Sequence, residues 1–124
     1  MAFSFKIYES KNLVTVICDD STPSEERVQI IDKLVKVLLD NPSLNIFLNV
    51  SNLENKYQDS NENNFCDLFS DKKEVFINTK VAIYAGHKKA NEQASHLKKF
   101  AFVYQFKNFA LFDNKDIASF WVNN

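Results

Sequence analysis

The chain has 124 residues, of which 45% are hydrophobic and 25% charged, with a net charge of −1. That length suits one domain, 1–124, large enough to bury a real core. The near-neutral charge excludes the basic footprint of a nucleic-acid or membrane-surface binder, and a single Gly, Gly86, excludes the usual Gly-rich phosphate loops.

Residues 3–8 and 13–19 read as two strands joined at Glu9-Ser10-Lys11-Asn12, a hairpin. The second, Leu13-Val14-Thr15-Val16-Ile17-Cys18, is β-branched and nearly continuous, so it is expected inside the sheet. The first carries Ser4, Lys6 and Glu9 and is expected at an edge, where a charged Lys discourages pairing with other chains.

Thr22-Pro23-Ser24-Glu25 forms a capping box with Pro at the first helical position, and Asn41-Pro42 stops the helix at about Asp40. Val28, Ile31, Leu34, Val35 and Leu38 recur at helical spacing, widened by Ile30, Val37 and Leu39. A stripe of that width belongs against a sheet.

The next strand, 44–50, alternates strictly. Leu44, Ile46, Leu48 and Val50 point one way and Asn45, Phe47 and Asn49 the other. The second set predicts a thinly covered face, on which Phe47 and later Tyr84 or Phe112 would sit. Aromatic groups on such a face suit an interface. Phe47 and Tyr84 are therefore candidate interface residues, and a weak homodimer through Phe47 or the edge strand is expected.

Residues 51–64 are polar and turn-rich and read as a loop beyond a strand's carboxyl end, where α/β proteins tend to place their sites. A short amphipathic helix over 61–73 follows, with Phe65, Leu68 and Phe69 on its apolar side, and Val75-Phe76-Ile77 reads as a connector. Residues 80–85 are a short buried strand. Ala90, Ala94, Leu97, Ala101 and Tyr104 mark a helix over 88–105. Residues 108–112 are the last strand, and Asp113 is expected to cap a final helix that docks through Ile117, Phe120 and Trp121. The element order is ββαβαβαβα. It implies a mixed, mostly parallel five-stranded sheet with right-handed crossovers.

Three local patterns carry a resemblance. They are the opening hairpin followed directly by a capped helix, the strand and turn Leu48-Asn49-Val50-Ser51-Asn52-Leu53, and the closing stretch Phe109-Ala110-Leu111-Phe112-Asp113 through Ile117-Ala118-Ser119-Phe120-Trp121-Val122. With Lys80-Val81-Ala82-Ile83-Tyr84 and the order of elements, the chain resembles the STAS and SpoIIAA-like families, whose members include anti-anti-sigma factors. A D-L-S-like turn after the central strand and an A-x-x-W pattern on the last helix are family features. The resemblance implies an α/β, SpoIIAA-like fold. It also implies a D-S-S-G-like motif with a phosphorylatable Ser at a helix start. The nearest equivalent is Asp59-Ser60-Asn61-Glu62, which lacks the Gly and has Asn61 in place of the second Ser. A phosphate on Ser60 would meet free N–H groups at the positive end of a helix. The plainer reading of Ser60 is an N-cap or loop residue.

Other chemistry is sparse. Asp59 to Asn63 opens like an EF-hand loop, but Asn64 and Ser70 occupy the positions that need Gly and Glu. His87 and His96 have no ligand set beside them and read as surface residues. Nothing orients Cys66 as a nucleophile. Cys18 and Cys66 read as reduced thiols of a cytoplasmic protein, and no secretion signal or transmembrane span is expected. The expected function is a non-catalytic cytosolic regulatory or protein-interaction module with an unknown protein partner and no cofactor, metal, nucleic acid or membrane. The alternative is a small carrier that binds an apolar or nucleotide ligand beside the loop after the central strand.

Overall fold

The computed structural model describes residues 3–18, 24–50, 68–69, 71–85 and 108–123. Five strands form one sheet in sequential order: β1 (Phe3–Tyr8), β2 (Leu13–Cys18), β3 (Asn45–Asn49), β4 (Val81–Tyr84) and β5 (Phe109–Phe112). The first two pair antiparallel and all later neighbours pair parallel. The fold is thus α/β with a mixed, mostly parallel sheet. The β-branched β2 lies inside and β1 at an edge. The strand expected over 44–50 is one residue shorter at each end. The capping-box residues Thr22 and Pro23, the N-terminal part of the 61–73 helix and the whole 88–105 helix lie outside the described residues.

A short 3-10 turn (Glu9–Lys11) joins β1 to β2, and Asn12 completes it with φ 55° and ψ 45°. A left-handed backbone is tolerated better by Asn than by most residues because its short side chain bonds locally. Here the side chain reaches farther. Asn12 Nδ2 donates to the Ser43 carbonyl at 2.6 Å and to Ser43 Oγ at 3.0 Å, and the Asn45 amide donates to the Asn12 carbonyl at 2.9 Å. The hairpin turn is therefore tied to the segment that leads into β3.

Helix α1 (Ser24–Asp40) ends where Asn41-Pro42 predicts. It covers one sheet face with Ile30, Ile31, Leu34 and Leu38 over Val14, Val16, Ile46, Leu48, Val81 and Ile83. Its buried stripe is rotated slightly from the expected one. Arg27 is fully buried, Val28 and Val35 are half-buried, and Leu39 projects into solvent. Leu39 drops out because the opposite side of the helix already fills the space above the strands.

The stretch expected as a connector contains helix α2 (Lys73–Phe76). Its buried Phe76 meets Phe69 edge-to-face at 4.8 Å, and Phe69 meets Phe109 in the same way at 5.2 Å. Edge-to-face stacking lets three large rings fill the space beside α1 without opposing their negative faces. Helix α3 (Lys115–Asn123) follows β5 directly and packs on the opposite sheet face, chiefly against β3, β4 and β5.

Candidate functional site

Phe47 and Tyr84 are brought together, as the alternation implies, on the face opposite α1. Phe47 stands opposite Ala82 in the register, two residues from the Asn49–Tyr84 pair. The two rings lie 6.4 Å apart, tilted by 40°. The face is not thinly covered at this point. Phe47 is only 4% exposed and sits in a small cluster with Leu13, Ala82, Ala118 and Val122. Helix α3 is the cover. Tyr84, Phe112 and Trp121 are half-buried around that cluster. Phe47 is therefore a packing residue beneath α3 and offers no open surface.

The two asparagines that suggested a wet face have other uses. Asn45 Nδ2 donates to the Val122 carbonyl at 2.9 Å. The last carbonyls of a helix lack partners within it, so this strand side chain satisfies one end of α3. Asn49 is buried at the other end of β3. Alternation predicts which side chains share a face. It does not reveal that a polar member can be buried by bonding to a helix end.

At the start of α3, Asn114 and not Asp113 is the cap. Its Oδ1 accepts from the Ile117 amide at 3.0 Å, the N-cap bond to the third helical residue. The expected docking face is also displaced. Ala118 and Val122 are buried and Trp121 is half-buried, whereas Ile117 and Phe120 are 58% and 72% exposed. The cause is the close seat of the helix on the sheet, with Ala118 and Ala82 in one cluster. Small residues allow that approach. Trp121 extends to the side, 5.4 Å from Phe112, with Lys80 Nζ 4.5 Å from its ring centroid in a cation–π contact. Its polar rim and apolar body make it a bracket between α3 and β5.

Asp59, Ser60 and Asn61 lie outside the described residues, as do Cys66, His87 and His96. Among the described residues, no group of three or more His, Cys, Asp or Glu side chains is placed to hold a metal ion. No helix among them is long and apolar enough to cross a membrane. Periodicity does not bring out Arg27 as a core residue, although it falls in step with Ile30, Ile31 and Leu34. A charged residue on an apolar stripe is the signal that could have found it. No protein family, curated protein or solved structure matches the chain in comparison.

Proposed function

We propose that the chain is a non-catalytic, cytoplasmic regulatory or protein-interaction module of the SpoIIAA-like kind. The observation that carries this reading is the inversion on α3, which turns Ala118 and Val122 to the sheet and Ile117 and Phe120 to solvent. Ile117 and Phe120, one turn apart, are 58% and 72% exposed. Large apolar groups held outward on a capped, docked helix have the composition of a recognition surface. The sheet and α3 provide a rigid base for it, and the module binds through the apolar face it displays.

The test compares the wild-type chain with the double variant Ile117→Ser, Phe120→Ser by affinity capture from source cells, followed by native mass spectrometry. The expected result is a set of protein complexes that the wild type retains and the variant loses, while both melt alike. Equal capture by both chains would remove α3 from the reading. A bound small-molecule mass on the wild type would favour the carrier instead.

A further inference from the structure

We propose that the outer edge of β1 is a self-association surface: it pairs antiparallel with β1 of a second copy of this chain, about a two-fold axis through Phe5. This goes beyond the module reading and uses a different surface from Ile117 and Phe120.

An edge strand presents a row of N–H and C=O groups that will pair with any suitable strand unless something prevents it. The usual protections are Pro, a bulge, a very short strand or charges. β1 has no Pro, and its six residues pair with β2 in unbroken register from Phe3↔Cys18 to Tyr8↔Leu13, so it carries no bulge. Among the described residues no strand pairs with its outer side. Ile7 and Tyr8 are 46% and 41% exposed, and Ser4 and Lys6 are exposed too. The opposite edge is less open, since β5 has four residues and its Ala110, Leu111 and Phe112 are half-buried. Within β1 itself, Lys6 is the one charged side chain.

Symmetry decides whether that guard suffices. Two copies of one edge can join about a two-fold axis only if the axis is perpendicular to the sheet, which makes the strands antiparallel and keeps each face with its like. Each residue then meets one of the same face. An axis through Lys6 sets two ammonium groups opposite each other, which is unfavourable. An axis through Ile7 runs the pairing into the 3-10 turn at Glu9, and one through Ser4 aligns only the start of the strand. The axis through Phe5 aligns the whole stretch Phe3 to Ile7. On the α1 face it sets Phe5 against its own copy and each Phe3 against an Ile7. On the other face it sets each Lys6 against a Ser4 hydroxyl. The lone Lys therefore selects this register and does not abolish pairing.

The surroundings make the association weak and salt-sensitive. Lys33 on α1 lies over this edge, its Nζ 5.5 Å and 5.6 Å from the Phe3 and Phe5 ring centroids. In the pair the two Lys33 side chains lie on the same face of the sheet, across the axis from each other. Their repulsion is screened by salt, so salt tightens the dimer.

The experiment is sedimentation equilibrium of the full chain over a wide concentration range, at low and high salt, with thermal melts as the folding control. The wild type is expected to dimerise reversibly, and more tightly at high salt. At low salt Ser4→Glu, which faces Lys6 of the partner copy twice, is expected to tighten Kd by roughly 2- to 30-fold, and Ser4→Lys to weaken it by a similar factor. Ser4→Lys combined with Lys6→Glu restores association. The Ile117→Ser, Phe120→Ser chain dimerises like the wild type. A wild type that stays monomeric at millimolar concentration in both salts overturns the proposal, as does a dimer indifferent to both Ser4 substitutions. A dimer abolished by the α3 variant also overturns it and places the contact on the helix.

Discussion

Asn45 connects the amino end of the central strand to the last carbonyl-bearing turn of α3 through a single 2.9 Å hydrogen bond. Both ends of that bond are partly buried, so its loss leaves an acceptor short of a partner. Asn45→Ala is therefore expected to cost about 1–3 kcal/mol by chemical denaturation. A change within error of zero would mean that water replaces the amide at no cost. Asn12 acts similarly beside it, at the turn of the hairpin, where its backbone and side chain hold the segment before β3. Residues of this kind are poorly legible in the sequence. Alternation identified Asn45, Phe47 and Asn49 as sharing a face, and that is correct. It read the polarity of two of them as exposure, because a hydrogen bond to a residue far along the chain leaves no local trace. Phe47 and Tyr84 were legible as neighbours for the same reason that their burial was not. Register follows from alternation, whereas cover depends on where α3 comes to rest.

At the scale of elements, periodicity located both long helices that the structure describes and the stop of α1 at Asn41-Pro42. The phase of their buried sides was harder to read. On α3, Ile117, Ala118, Phe120, Trp121 and Val122 spread over a wide apolar arc, and the larger residues drew the expected face toward themselves. The helix instead seats on Ala118 and Val122, because small residues let it approach Ala82 and Phe47 closely. This assignment predicts opposite outcomes for neighbouring positions. Ala118→Leu should overpack the interface and cost about 1–3 kcal/mol. Ile117→Ser should stay within about 0.5 kcal/mol of the wild type, as exposed substitutions generally do. Denaturant midpoints with unchanged slopes would establish both values. The reverse ranking would restore the face expected from size alone. The half-buried Trp121 falls between them, and Trp121→Ala should cost about 2 kcal/mol.

At the scale of the molecule, the mixed, mostly parallel sheet and the edge position of β1 were legible in the opening hairpin and the alternation of strands with helices, whereas the sequential order of the strands emerges only in the structure. The order leaves α1 and α2 on one face and α3 on the other. It leaves β1 as the long edge with Ile7 and Tyr8 in solvent. The functional end was less legible. The loop that drew attention, with Asp59, Ser60 and Asn61, lies outside the described residues. The surfaces that emerged are products of packing: an inverted helix and an open edge. Both underlie the proposal that association is the central property of this chain. Amide hydrogen exchange measured strand by strand at rising protein concentration tests that property most directly, because an outward N–H on β1 gains protection only when another strand takes it. The account predicts that the outward amides of Phe3–Tyr8 exchange fast when dilute and slow progressively with concentration, while those of Phe109–Phe112 do not change. Exchange along β1 that is the same at every concentration would contradict it.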